Sequence, residues 1–165
     1  MSSGVFAFYG AEERGSIGAR LIQLFTLPSR VFDIPVFGDP PKTIKAKIRL
    51  LSDKENLEVA EIADRYSFSA KILAERIFIL ARAVEWIEEL PIEMPKAIKE
   101  DIKSRMGREP TPVEEKSWVF EQCQPVLLQE FLNCYIDLQD EQRKQLEELK
   151  KTYYESQTPS QQETT

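Results

Sequence analysis

Residues 68–91, FSAKILAERIFILARAVEWIEELP, constrain the fold of this chain more than any other stretch. Apolar residues recur here at spacings of three and four, which places them along one face of a helix. This face contains Leu73, Ile77, Leu80, Val84 and Ile87, and it is widened by Ile72, Ile79, Ala83 and Trp86. A helix that is apolar over most of its circumference must be covered from several sides. We therefore expect residues 68–91 to form the central helix of a small helical domain.

Two strand-like runs precede this helix, and the turn-forming residues 38–41, GDPP, separate them. In the second run, residues 43–50, apolar and basic residues alternate, as they do in a strand with one buried face. Pro35 restricts the first run, residues 31–37, to the edge of a sheet or to an extended segment. The pattern predicts an antiparallel hairpin over residues 31–50. Because an isolated hairpin is only marginally stable, its apolar face should pack on the helices.

Capping residues and prolines delimit the remaining helices. Ser52 and Glu55 have the spacing of a capping box, and the helix that follows has a modest apolar face of Leu57, Ile62 and Ala63. Residues 96–106 predict a short, charged surface helix that ends at Gly107. Thr111 is the expected cap of the next helix, and Pro125 predicts a bend or break near residues 122–124. Beyond this break the buried face should continue through Leu128, Phe131, Tyr135 and Leu138.

The two ends of the chain differ from its middle. Residues 1–30 hold four of the six glycines together with the apolar cluster Val5, Phe6, Phe8 and Tyr9. Because an exposed apolar arm is unfavourable, it either folds back on the domain or is buried by a partner. Residues 156–165 have the composition of a disordered tail. We therefore predict a mainly α fold: an arm over residues 1–30, and one domain of four to five helices and a hairpin over residues 31–155.

Composition and charge exclude several classes of function. The net charge of −6 argues against nucleic-acid binding, which needs clustered lysines and arginines. No stretch has the roughly 18 apolar residues that a membrane span needs. Histidine is absent, which removes the commonest general base and metal ligand. Cys123 and Cys134 lie eleven positions apart in an apparently helical region, so we expect two reduced, buried thiols. A disulfide between two chains is the alternative.

No motif for catalysis or cofactor binding stands out, and we expect neither cofactor nor metal. Phosphate-binding glycine loops are absent, and two cysteines are too few for a structural zinc site. Glu85 and Glu89 would share a helical face, but beside Arg82 they are more typical of a solvated stripe than of a catalytic pair. Trp86 and Trp118 lie on apolar helical faces and are expected in the core. A small carboxylate enzyme is therefore the least favoured hypothesis.

The features that remain favour contacts between proteins. These are the apolar arm, the hairpin with an exposed edge, and the last helix, whose apolar face becomes thin towards its end. Such elements suit the burial of a partner's segment by strand addition or by helix packing. The candidate partner-binding residues are Val5, Phe6, Phe8, Tyr9, Leu146, Leu149 and Tyr153.

The order of these features resembles a known family. The segments IPVFG and IKAKIRLLS precede an acidic helix start, the run ILARAVEWIEELPIEMP, and a closing helix PVLLQEFLNCYIDLQDEQRKQLEELKK. About two thirds of the chain is thereby similar to the small tail-assembly chaperones and related baseplate or hub assembly proteins of tailed bacteriophages. Residues 1–30 are not part of that pattern, and the usual glycine in the turn after the middle helix is missing.

The resemblance implies a non-enzymatic role in the cytoplasm of an infected bacterial host. The protein would escort tape-measure, tail-tube or baseplate subunits by reversible contacts, as a monomer or an oligomer, without binding nucleic acid or membrane. The alternative is a resident subunit of the virion tail or baseplate, whose N-terminal arm is inserted into neighbouring subunits.

Overall fold

A computed structural model describes residues 26–157, which form three strands and five helices. In chain order these elements are β1 (Ser29–Val36), β2 (Lys42–Arg49), α1 (Asp53–Ala63), α2 (Phe68–Ala83), β3 (Val84–Ile87), α3 (Lys96–Met106), α4 (Pro112–Glu121) and α5 (Pro125–Gln157). The fold is mostly α-helical and includes a small antiparallel sheet, which confirms the predicted class in its main features.

The predicted hairpin is present as β1 and β2, with Phe32 paired to Ala46 and Ile34 paired to Ile44. Phe32 and Ile34 alternate with exposed neighbours, so one face of the hairpin is buried, as expected for a strand of period two. β1 begins at Ser29, two residues before the predicted start of the first run at residue 31. β1 also forms an edge of the sheet, as Pro35 indicated.

The prediction of one helix over residues 68–91 was wrong beyond Ala83. The chain leaves the helix at Val84 and pairs with β2 as β3, which makes the sheet three-stranded. The register shifts within this pairing, since Val84 lies opposite Ile48 and Trp86 opposite Lys47. The bulge lets Val84 and Ile87 both contact the core although they are three positions apart. That spacing is also the spacing of a helical face, so periodicity could not distinguish the two structures.

Several residues expected in the core are exposed. On α2, Ile77 and Leu80 are buried, but Leu73 on the same face is 53% exposed and Ile72 is 54% exposed. A periodic pattern identifies the face of a helix, but it does not show how far the neighbouring elements extend along it. Trp86 is 41% exposed because it lies on β3 opposite Lys47, a residue of the solvent side of the sheet. On α1, Leu57 is exposed, and the buried residues are Val59 and Ala63.

The predicted helix boundaries are otherwise accurate. Ser52 caps α1 in a reciprocal capping box with Glu55, and Thr111 does the same for α4 with Glu114. Gly107 ends α3 in the left-handed conformation, φ 69°, that glycine adopts readily. α4 ends at Glu121 and α5 begins at Pro125, so of the predicted bend or break the structure has the break. The two cysteines therefore do not share a helix, because Cys123 lies within the break.

The core forms where the inner face of the sheet meets α2, α4 and the first half of α5. Phe120 of α4 packs edge-on against Phe131 of α5, with ring centroids 5.5 Å apart. The hydroxyl of Tyr135 accepts a hydrogen bond from the backbone N–H of Leu51 at 3.4 Å, which ties α5 to the link between β2 and α1. The predicted buried face of α5 is confirmed at Leu128, Phe131, Tyr135 and Leu138.

Candidate interaction surface

The last helix extends well beyond the part of it that packs against the core. α5 contains 33 residues, which corresponds to a length of about 50 Å. Its buried side chains all lie between Leu128 and Leu138. Of the described residues after Leu138, none is buried, and nearly all from 143 to 157 are exposed. We call residues 141–157 the projecting half of α5.

Three of the predicted partner-binding residues lie together on the projecting half. Leu146 is 38% exposed, Leu149 is half-buried and Tyr153 is 61% exposed. Their spacing of three and four places them on one side of the helix. We call these three residues the α5 stripe. Exposed residues of the opposite side are charged, namely Lys144, Glu148 and Lys151.

Strand β1 runs antiparallel to α5. Near the start of β1, Arg30 forms an exposed ion pair with Glu141, where the projecting half begins. At its end, Val36 and the following Phe37 share a cavity of about 340 Å³ with Val126 and Leu127, in the first turn of α5. β1 therefore begins beside the projecting half of α5 and ends beside the first turn of α5.

An ion pair supports the link between β2 and α1 beside Tyr135. The two guanidinium nitrogens of Arg49 donate to the two carboxylate oxygens of Glu55 at 2.9 and 2.6 Å. Glu55 also accepts the backbone N–H of Ser52 at 2.9 Å. The hydrogen bond from Arg49 is the main reason that the pKa of Glu55 falls from 4.5 to about 2. These hydrogen bonds hold the link between β2 and α1 at the place where Tyr135 anchors α5. The charges of Arg49 and Glu55 are paired with each other.

Lys116 stabilises the junction between α2 and β3. Its ammonium group donates to the carbonyl oxygen of Val84 at 2.7 Å, a backbone group at the end of a helix that lacks an intrahelical donor. Burial lowers the pKa of Lys116. On the exposed side of β3, Glu85 pairs with Lys47 at 2.7 Å. Glu85 and Glu89 do not share a helical face, because one is in a strand and the other follows it with φ 60°.

Two open cavities are lined mainly by apolar groups. The cavity at the start of α5 also contains Cys123. The second cavity, of about 260 Å³, lies between the link after α1 and the helices α2, α3 and α4, and its walls include Tyr66, Phe78 and Trp118. Trp118 was expected in the core and is half-buried at this opening. Sequence periodicity gave no signal for either cavity, because each one combines residues from distant parts of the chain.

An exposed apolar patch at the start of α2 was also missed. Phe68 is 88% exposed, and Ile72 and Leu73 follow within the next two turns. The sequence predicted Ile72 and Leu73 to be covered, since they continue the pattern of the buried residues. Scattered apolar residues on a surface are normal, but Phe68 and Ile72 lie one helical turn apart on the same side of α2 and together form a small patch.

The cysteine thiols have little reactive character. Cys123 and Cys134 are both half-buried and unpaired. Burial raises the pKa of Cys134 to about 11, and it also raises the pKa of Cys123. Across residues 26–157, no group of three or more Cys, Asp and Glu side chains is arranged to hold a metal ion. Within the same range, no helix is long and apolar enough to cross a membrane.

The other predicted partner-binding residues, Val5, Phe6, Phe8 and Tyr9, lie outside the described residues, as do all of residues 1–25 and 158–165. Ser156 and Gln157, assigned to the disordered tail, belong to α5. Comparisons with protein-family models, curated proteins and solved structures find no match to this chain.

Proposed function

We propose that this protein is a non-enzymatic assembly factor for the tail or baseplate of a tailed bacteriophage, acting through protein–protein contacts in the host cytoplasm. Its partners would be tape-measure, tail-tube or baseplate subunits. The order of sequence features from residue 34 to residue 151 suggests this family. The observation that supports a contact-based role is the projecting half of α5, which presents the α5 stripe beyond the body of the fold.

A helix that projects with one apolar side can pack against an amphipathic helix or a groove of a partner. The α5 stripe is thin, so the contact would be modest in area and readily reversed, as an assembly factor requires. Charged residues on the opposite side of the same helix keep that side solvated. The apolar patch at the start of α2 offers a second contact surface.

A second candidate function is that of a resident virion subunit with its N-terminal arm inserted into neighbours. The composition of residues 1–30 favours it, because four glycines and an aromatic cluster suit a chain threaded between other proteins. Mass spectrometry of purified virions distinguishes the two roles. A stoichiometric amount of this protein in finished particles rejects a transient assembly factor, and its absence rejects a resident subunit.

The contact itself is tested by co-expressing the tagged protein with the tail proteins encoded beside it. We expect one of them to co-purify with the wild-type chain. The triple variant Leu146→Ser, Leu149→Ser, Tyr153→Ser should lose that partner while keeping its melting temperature. Its matched control is the triple variant Lys144→Ser, Glu148→Ser, Lys151→Ser, which changes the opposite side of the same turns. Equal binding of the partner by the two triple variants would mean that the α5 stripe is not the partner-binding surface.

A further inference from the structure

Strand β1 begins beside Glu141, the first residue of the projecting half of α5. Arg30 contacts Glu141, and β1 then runs towards the first turn of α5. The carbonyl oxygen of Pro28 still accepts the N–H of Leu50, so the described chain follows the sheet almost to its start. Arg30 therefore contacts α5 five positions before Leu146, which is about 7.5 Å of helix rise, and Thr26 lies four residues upstream of Arg30.

The upstream sequence has the length and pattern to cover the stripe. Residues 17–25, which we call the N-terminal segment, carry apolar side chains at helical spacing: Ile17, Leu21, Leu24 and Phe25. As a helix, nine residues would span about 13 Å, and the seven steps from Leu146 to Tyr153 span about 10 Å. Only Thr26, Leu27 and Pro28 separate this segment from β1. A short link makes the local concentration of the segment at the stripe high.

We propose that the N-terminal segment packs on the α5 stripe of its own chain. The contact would bury apolar side chains that both elements otherwise expose, without a second molecule. The inference concerns the isolated chain and goes beyond the proposed function; if the tail-assembly role holds, a partner of the stripe has to displace this segment.

Paramagnetic relaxation in the full-length protein tests the contact. A nitroxide label is attached to Lys150→Cys, which flanks the stripe, in a background of Cys123→Ala and Cys134→Ala. We expect the amide signals of residues 17–25 to lose most of their intensity. A control label at Lys96→Cys, whose side chain on α3 is 91% exposed, should leave those signals unchanged.

A second pair of variants links the loss of signal to the stripe. Adding Leu146→Ser, Leu149→Ser and Tyr153→Ser to the Lys150→Cys chain should restore the signals of residues 17–25. The control substitutions Lys144→Ser, Glu148→Ser and Lys151→Ser should not restore them. A melting curve for each variant establishes that the domain is folded during the measurement.

Two results overturn the proposal. Full intensity of residues 17–25 in the Lys150→Cys chain means that the segment is not on the stripe. Signal loss that also occurs when isotope-labelled protein is mixed with spin-labelled protein of natural isotope abundance means that the contact is between two copies. Neither result depends on a tail partner. Failure of the wild-type chain to co-purify any tail protein would reject the proposed function and leave the intramolecular contact standing.

Discussion

The two halves of α5 are one continuous helix with opposite relations to the rest of the molecule. In the first half, Phe131 and Tyr135 are 1% and 3% exposed and contact α4 and the link before α1. In the projecting half, Tyr153 is 61% exposed. Backbone hydrogen bonds are equivalent throughout, so side-chain burial alone distinguishes the halves. The comparison shows that the first half stabilises the fold, whereas the second is positioned by it.

The largest difference should appear when buried and projecting side chains are truncated. Phe131→Ala is expected to lower the free energy of unfolding by about 3–5 kcal/mol, because it removes a buried ring and leaves a cavity beside Phe120. Leu146→Ala should cost about 1 kcal/mol or less, since its side chain is partly in water. Urea denaturation of both variants and the wild type measures the two losses of unfolding free energy. Similar losses would mean that the projecting half belongs to the cooperative core.

A smaller effect is expected from the hydrogen bond that anchors the first half. Tyr135→Phe removes the hydroxyl that accepts the Leu51 N–H and leaves the ring in place. We expect a loss of about 1 kcal/mol in the free energy of unfolding. Tyr153→Phe is the matched control in the projecting half, and its unfolding midpoint should match that of the wild type. A larger loss of unfolding free energy for Tyr153→Phe than for Tyr135→Phe would mean that the projecting half stabilises the fold more than the first half does.

The ion pair beside Tyr135 should make stability depend on pH. The pKa of Glu55 is lowered to about 2 by its hydrogen bond from Arg49, so its stabilising contribution is present above about pH 4.5 and is lost as pH falls through 2. At pH 7, Glu55→Gln should cost about 0.5–1 kcal/mol, since the pair is partly exposed. The gap between wild-type and variant urea midpoints should narrow below pH 4.5.

Glu147→Gln, a charge-matched change in the projecting half, is the control for that pH series. Its urea midpoint should follow the wild type at every pH. A constant gap between wild type and Glu55→Gln from pH 7 to pH 2 would mean that the Arg49–Glu55 pair does not stabilise the anchored half.

The smallest effect on folding is expected from removing the N-terminal residues. Deletion of residues 2–25 leaves β1 complete, whereas a deletion to residue 30 would remove Ser29 and the Arg30–Glu141 pair. The shorter deletion should change the free energy of unfolding by about 0.5 kcal/mol or less. The reason is that contacts with the projecting half can be lost by local opening, without unfolding of the core. Amide hydrogen exchange should increase at residues 146–153 and stay constant at residues 128–138. Loss of cooperative unfolding would place the arm within the core.

Local signals predicted much of the fold. Ser52, Thr111, Gly107 and Pro125 each act through backbone groups within a few residues, so their effects are visible in the sequence and are confirmed. The alternation of apolar residues in β2 and the buried face of α5 were predicted for the same reason. The grouping of Leu146, Leu149 and Tyr153 follows from helical spacing alone, but their exposure does not.

What the sequence by itself determined is the set of caps, breaks and periodic faces, because these depend on interactions between near neighbours. Only the tertiary structure decided that Val84–Ile87 is a strand, since the free edge of β2 offers hydrogen bonds that a helix there could not use. The exposure of Leu73 and Trp86 was decided in the same way, by where neighbouring elements end. The position of Arg30, beside Glu141 at the start of the projecting half, likewise depends on how a strand packs along a helix more than a hundred residues later.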